Sequence, residues 1–194
     1  MYHNYVKARN AAWKVLLECG IKELPINLQT IADYYDIPLI TYSNFPLTQL
    51  FKPEVVSGDG FATSISGTPY IILNDQKSNR YRRRFTVAHE LGHVLLNHPS
   101  KVTFFRNSEI DHPHKLEEIE ANIFARDLLM PATVLASLHI HSPEQIMKFC
   151  HISYTSAVIR AKRLQLLYQR NSFDIHPLEK EVHKQFSKFI EENQ

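Results

Sequence analysis

The sequence has few of the residues that would place the chain outside the cytoplasm. Cys19 and Cys150 are the only cysteines among 194 residues, too few for a disulfide framework or a thiolate metal site. The first residues lack the basic and then apolar pattern of a secretory signal. No apolar run approaches the length of a membrane span. We therefore expect a cytoplasmic protein that does not enter a membrane.

The sequence also has little excess of one sign of charge over the other, with 22 basic and 20 acidic residues. The net charge is only +2, so nothing global argues for binding to nucleic acid or to an anionic membrane. Hydrophobic residues make up 44% of the chain, as in a globular protein with a real core. A chain of 194 residues is long enough for one good-sized domain with a small appendage.

The stretch from residue 84 to residue 98 contains the motif His-Glu-x-x-His, formed by His89, Glu90 and His93. On a helix, His89 and His93 differ by one turn and about 40°, so both imidazoles leave the same face. Glu90 lies on the flank of that face. Two neutral nitrogen ligands, an open position for water and a nearby carboxylate are what zinc-dependent hydrolysis requires. The alternative is a pair of surface histidines on an ordinary helix.

The segments before this motif indicate helices followed by a small sheet. We expect helices over about 2–19, ended by Gly20, and over 28–35, capped by Asn27. A short edge strand over 37–42 and a hairpin of two strands, 60–65 and 69–74, follow. A strand edge beside the metal helix can hold an extended peptide, or the hairpin can simply cover the core. We expect the basic cluster 80–84 to be a loop, either solvated or in contact with phosphate.

A third metal ligand is expected from the next helix, which should run from about His114 to Met130 and end at Pro131. On a helical wheel started at Leu116, Glu120 falls inside the apolar stripe, Glu117 falls at its margin and Glu118 points away. A carboxylate in such a stripe is costly unless it is paired or binds a metal. We therefore expect Glu120 to be the third ligand, with Glu117 as the runner-up. A buried ion pair between Glu120 and an arginine is the alternative.

Other candidates remain near the site. Asp127 falls on the same arc as Glu120, and it could orient a ligand histidine as a hydrogen-bond acceptor. His98, His112 and His114 compete as ligands, although histidines in a loop are usually solvated.

The residues 84–93, together with 120–125 and 128–131, closely resemble the ImmA/IrrE metallopeptidase family. The resemblance spans about 26–131 and, more loosely, the helices beyond. It implies an α+β fold with a zincin-like core of helices around a small antiparallel sheet. It also implies that His89, His93 and Glu120 bind Zn²⁺, that Glu90 is the catalytic base, and that the substrate is a helix-turn-helix repressor. Asp127 stands where the family commonly has Glu.

The remainder of the chain predicts a helical appendage. We divide the chain into a metallopeptidase core at 1–135, a helix-turn-helix-like appendage packed on the core at 136–170, and an amphipathic C-terminal helix or tail at 171–194. Ser142 and Ser153 each begin a helix. The second of these helices carries basic residues, so direct DNA binding is an alternative to packing on the core. The apolar side of the tail could dock on this chain, on a partner or on a second copy in a homodimer.

We thus expect an intracellular zinc endopeptidase that inactivates a helix-turn-helix repressor, as an anti-repressor of a mobile element or as a stress-response switch. The main alternative is a non-proteolytic metal-binding regulator that acts by binding protein or DNA. A weaker alternative is a component of a toxin–antitoxin pair.

Overall fold

The computed structural model describes residues 2–45, 58–76, 79–98 and 115–194. The fold is mostly helical with one small sheet, which confirms the expected α+β class. The helices are α1 (Tyr2–Glu18), α2 (Leu28–Tyr34), α3 (Arg80–Leu95), α4 (Lys115–Leu129), α5 (Ala132–Ser137), α6 (Pro143–Cys150), α7 (Tyr154–Gln169), α8 (Pro177–Gln185) and α9 (Ser187–Asn193). The strands are β1 (Leu39–Thr41), β2 (Gly60–Ile65) and β3 (Thr68–Leu73), and a short 3-10 turn (Tyr42–Asn44) follows β1.

The three strands form a sheet in the order β1-β3-β2. The expected hairpin is confirmed, because β2 and β3 pair antiparallel with Ile65 opposite Thr68. Ser66 and Gly67 connect them with positive φ angles of 51° and 85°, as a tight two-residue hairpin turn requires. The sheet is mixed rather than wholly antiparallel, because β1 joins β3 in parallel at the opposite edge. A parallel partner needs a long connection, and the chain between β1 and β3 supplies it.

The metal-motif helix starts earlier than the sequence suggested. Asn79 caps α3 by accepting a hydrogen bond from the backbone N–H of Arg82 at 2.9 Å. The basic cluster 80–84 is therefore the first part of the helix and not a loop. Three of its arginines have partners among the described residues: Arg82 pairs with Asp59, Arg84 donates to the carbonyl of Ile26, and Arg80 contacts Nδ1 of His151.

Helix α4 lies in the middle of the molecule, packed between α1 and α3. Its side chains are consequently buried around most of the circumference from Glu120 to Leu129. One continuous cluster of buried apolar side chains runs through α1, α3, α4 and the C-terminal helices. Within the described residues, no helix has both the length and the apolar character that crossing a bilayer requires.

Helices α6 and α7 begin at the residues expected from the sequence. Ser142 and Gln145 form a capping box at α6, and Ser153 caps α7. Arg160 of α7 is 1% exposed and pairs with Asp127 of α4 at 3.0 Å, so it is not available to DNA. The division of the chain at 135 and 170 stays a prediction.

Candidate metal centre

His89 and His93 project from the same face of α3, one turn apart, as the motif predicts. Their Nε2 atoms are 3.1 Å apart, and their rings meet edge to face at 4.8 Å between centroids. The side chain of His93 is 4% exposed and that of His89 is 13% exposed. Both imidazoles therefore direct the same nitrogen into one shared, largely buried position.

Glu118 of α4 completes this group. Its Oε2 atom lies 3.2 Å from His89 Nε2, and its Oε1 atom lies 3.4 Å from His93 Nε2. Among the described residues, His89, His93 and Glu118 form a set of ligand atoms that all lie within 4.8 Å of one another. The set comprises two imidazole nitrogens and a carboxylate from two packed helices.

The distances within the group fit a zinc ion. Zinc bonds to nitrogen and oxygen are about 2.0–2.1 Å long, so the ligand atoms of a tetrahedral site lie about 3.3–3.4 Å apart. The separations observed here run from 3.1 to 3.4 Å. Three protein ligands leave a fourth position for water or substrate, as in catalytic zinc sites. The donor set therefore suits this metal, with each imidazole nearest to a different oxygen of Glu118.

Gly92 permits the close approach of the two helices that carry the group. A Cβ atom at this position would lie 3.1 Å from Phe124 Cδ1 and 3.2 Å from the Cα atom of Ala121. Both are shorter than ordinary contacts between carbon atoms. The face of α4 that meets α3 is thus the face that carries Ala121 and, one turn earlier, Glu118.

Glu120, the third ligand expected from the sequence, lies elsewhere. Its Oε2 atom is 2.9 Å from His98 Nε2 and 3.8 Å from Lys7 Nζ. The helical wheel takes Leu116 as its inward starting point, but Leu116 is 43% exposed. The predicted apolar stripe therefore corresponds to the face of α4 that packs on α1. A hydrophobic pattern cannot distinguish this face from the one that packs on α3. Glu120 as a ligand stays a prediction that this geometry does not favour.

Three other ligand candidates from the sequence are Glu117, His112 and His114. Glu117 is partly exposed and is not a member of the group around the two histidines. His112 and His114 lie outside the described residues.

His98 is a buried histidine that joins Glu120 to the site. The end of α3 forms a Schellman motif, in which Asn97 adopts a left-handed conformation and His98 N–H donates to the carbonyl of His93. This turn places His98 Nδ1 3.1 Å from His93 Nδ1. The hydrogen-bonded series from Glu120 through His98 therefore ends at Nδ1 of His93. The Nε2 atom of His93, on the other side of the ring, stays directed at the metal group.

Glu90 lies beside the group, at the edge of the sheet. It is 3% exposed, and its Oε2 atom accepts a hydrogen bond from the backbone N–H of Ala62 in β2 at 2.9 Å. Glu90, His93 and His98 line a cavity of about 330 Å³, together with Ala62, Thr63, Ser64, Gly67, Pro69, Val94 and Asn97. The cavity thus connects the general-base candidate with the β2 edge.

The pKa of Tyr42 is affected by its burial and by the nearby carboxylate of Glu90. Burial raises the pKa of the Tyr42 phenol to about 12, and the nearby carboxylates of Glu90 and Asp59 add to this. The phenol is therefore neutral at physiological pH, with a proton available for hydrogen bonding.

Within the described residues, Asp127 contacts arginines and not a histidine. It is 3% exposed and pairs with Arg126 at 2.5 Å and with Arg160 at 3.0 Å. Burial alone would raise its pKa, but the two guanidinium groups outweigh burial, and the pKa is lowered. The hypothesis that Asp127 supports a metal ligand is therefore wrong, and the ion pair with α7 is its role.

Sequence reasoning placed Glu118 away from the site, and it named His98 only as a competing ligand and not as the partner of His93. A usable signal for Glu118 was the run of small residues at the helix crossing. Gly92 on one helix and Ala121 on the other indicate where two helices touch, and Glu118 lies one turn from Ala121. No comparable local signal predicts the contacts of His98 with His93 and Glu120, because they depend on how the chain turns after α3.

Comparison with known proteins gives two findings. Residues 34–162 match the peptidase M78 family, described as the IrrE N-terminal-like domain. The chain is also 34% identical over 77 residues to an uncharacterised immunity region protein 2 of Bacillus phage phi105. That match covers 40% of this chain and spans about half the length of the phage protein, 48%.

Proposed function

This chain belongs to the IrrE N-terminal-like peptidase family, and from that premise we propose that it is a zinc-dependent endopeptidase acting on a helix-turn-helix repressor. The observation that carries the proposal is the group of two imidazole nitrogens and a carboxylate with zinc-like separations, beside a buried glutamate. Similarity to a phage immunity region protein supports a role in repressor control. The expected location is the cytoplasm, where such repressors bind DNA.

His89, His93 and Glu118 are the metal ligands we propose, on the basis of their separations. Glu120, the ligand expected from the sequence, is the competing choice. In the preferred arrangement, His93 Nδ1–H donates to His98, and His98 Nε2–H donates to Glu120. This tautomer leaves His93 Nε2 unprotonated and ready to bind the ion. Glu120 and His98 then act as positioning residues.

Glu90 is the proposed catalytic base. A bound zinc ion polarises a carbonyl and lowers the pKa of its water towards about 7. Glu90 takes the proton from the attacking water and delivers it to the leaving amine. Its hydrogen bond from Ala62 holds the carboxylate against the β2 edge, in the cavity that the histidines also line.

The substrate would extend along β2. Pairing of residues 61, 63 and 65 with β3 leaves the N–H and C=O groups of Ala62 and Ser64 directed away from the sheet. The N–H of Ala62 already contacts Glu90, so a peptide at this edge would bring a scissile amide next to the base. Main-chain pairing of this kind suits an extended loop or linker of a repressor.

Glu90→Gln tests the activity. Gln keeps an oxygen to accept the Ala62 N–H but cannot take a proton, so we expect bound zinc and a loss of cleavage of at least about 10²-fold. The readouts are zinc content and cleavage of a helix-turn-helix repressor encoded beside the gene. Glu181→Gln, an exposed change of the same type, is the matched control. Equal cleavage by wild type and Glu90→Gln would exclude Glu90 as base. Zinc binding without cleavage by the wild type, across several repressors, would favour the non-proteolytic regulator.

Paired substitutions test the ligand set. Glu118→Gln should reduce zinc affinity by more than about 100-fold, whereas Glu120→Gln should cost about 10- to 100-fold, as for the loss of a supporting partner. Glu117→Gln should leave the affinity unchanged and serves as the control. The affinities are measured by competition with a chromogenic chelator. The reverse order of Glu118→Gln and Glu120→Gln would restore Glu120 as the ligand.

A further inference from the structure

A second cavity lies away from the metal centre, between α1, α4, α7 and the start of α8. It has a volume of about 380 Å³. Its lining carries arginines from two helices, namely Arg9, Arg160 and Arg163, and two acidic residues, Asp127 and Glu179. The volume lies at the lower end of the range for pockets that bind small molecules.

Guanidinium groups converge on Tyr5 in the wall of this cavity. The Cζ atoms of Arg9, Arg126 and Arg163 lie 5.2–5.9 Å from the centre of the Tyr5 ring. Arg126 and Arg163 both donate to the Tyr5 hydroxyl, at 3.1 and 3.2 Å. A single neutral oxygen thus receives two cationic donors, and this contact by itself balances neither charge.

Carboxylates offset only part of this charge. Asp127 is shared between Arg126 and Arg160. Glu179 accepts from the backbone N–H of Ile175, and burial raises its pKa, which favours its neutral form. Among the described residues, neither Arg9 nor Arg163 forms an ion pair. With three guanidinium groups in its lining and Asp127 ionised, the cavity has an excess of two positive charges when Glu179 is neutral and of one when it is ionised.

Several buried donors also lack an acceptor. In the described part of the chain, the Nε–H groups of Arg126, Arg160 and Arg163 are buried and donate to no protein acceptor. Arg160 is 1% exposed, so this is a fully buried cation with an unused donor. Leaving buried donors and charges unmatched is costly unless a ligand satisfies them.

We propose that this cavity is a binding site for a phosphate dianion, free or as a monoester of a small molecule. Guanidinium forks match the geometry of phosphate oxygens, and a dianion balances the excess of two charges that the cavity has when Glu179 is neutral. The cavity is larger than a phosphate group requires, so a monoester has room for its organic part. The site does not depend on the proposed peptidase activity. It shares α4 with the metal centre, since Asp127 and Glu118 both lie on that helix.

Binding to the full-length protein tests this site. Inorganic phosphate and adenosine monophosphate are titrated calorimetrically and by thermal unfolding, against sodium chloride of equal ionic strength. At a ligand concentration 100 times Kd, the midpoint of unfolding should rise by about 5–11 °C for a chain of this size. Stronger binding of the nucleotide would identify a monoester site, and equal binding would identify a site for free phosphate.

Matched variants on α7 separate this site from general attraction by a basic protein. Arg163→Gln should weaken binding at least tenfold, because it removes a guanidinium with no carboxylate partner. Lys162→Gln removes a charge from the adjacent, exposed position and should have no effect. Arg9→Gln repeats the test from α1 if Arg163→Gln does not fold. No shift beyond that of sodium chloride, or equal losses in Arg163→Gln and Lys162→Gln, would overturn the proposal and make the arginines a purely structural network.

Discussion

Gly92→Ala should move the two helices of the metal centre apart. The added Cβ would lie 3.1 and 3.3 Å from two atoms of Phe124 and 3.2 Å from Ala121 Cα. Ordinary contacts between carbon atoms begin near 3.5 Å, so α4 must shift by about 0.3–0.5 Å. Because one of these neighbours is backbone, rotation of a side chain cannot relieve all of the overlap.

The expected change in stability is small because two effects oppose each other. Overpacking of a core contact costs about 1–3 kcal/mol. Replacing a mid-helix glycine by alanine recovers about 0.5–1 kcal/mol. The net destabilisation of about 0.5–2 kcal/mol should lower the midpoint of thermal unfolding by roughly 1–8 °C.

Gly92→Ala should reduce zinc affinity more clearly than it reduces the stability of the fold. The histidines lie on α3 and Glu118 lies on α4, so the shift lengthens the distances between them. Metal sites tolerate deviations of about 0.2 Å. We therefore expect zinc affinity to fall at least about tenfold, as measured by chelator competition, with unfolding measured separately in chelator.

A second substitution provides the control for Gly92→Ala. Phe124→Leu in the same chain shortens the side chain that the new methyl group meets, so the double variant should recover part of the affinity. Unchanged stability and unchanged zinc affinity in Gly92→Ala would refute the conclusion that this helix crossing positions Glu118.

Three further predictions follow from buried groups. Asp127→Asn should cost about 3–5 kcal/mol in urea unfolding, because it leaves Arg160 buried without its carboxylate. The pKa of Asp127 is lowered on folding, so its contribution to the free energy of unfolding is present above the unfolded pKa of about 3.9. That contribution is lost as the pH falls through the folded pKa. The variant should therefore lose stability less steeply in acid than the wild type. Burial raises the pKa of the Cys150 thiol to about 12, and partial burial together with the charge of Glu18 raises the pKa of Cys19 to about 11. Both thiols should therefore react slowly with a thiol reagent at pH 8 and quickly in denaturant. Rapid labelling of Cys150 in the native protein would contradict its burial. His98→Gln should weaken zinc binding about 10- to 100-fold while the protein stays folded, and an unchanged affinity would remove His98 from its supporting role.

Local signals predicted most of the helices and the hairpin correctly. Gly20 adopts the positive φ that ends α1, and Asn27 caps α2, because these residues act on their own backbone neighbours. The Ser142–Gln145 capping box predicted α6 in the same way. Asn79 is an equally local cap, and it places residues 80–84 in α3, where the sequence analysis expects a loop.

The spacing of the motif alone predicts that two histidines share a helix face with a glutamate beside them, because residues four apart on a helix lie one turn apart on the same face. Which carboxylate meets those histidines was decided by tertiary structure. Helix α4 is buried on two sides, against α1 and α3, and a hydrophobic pattern cannot tell the two sides apart. The close contact at Gly92 turns Glu118 towards the histidines, while Glu120 reaches them only through His98.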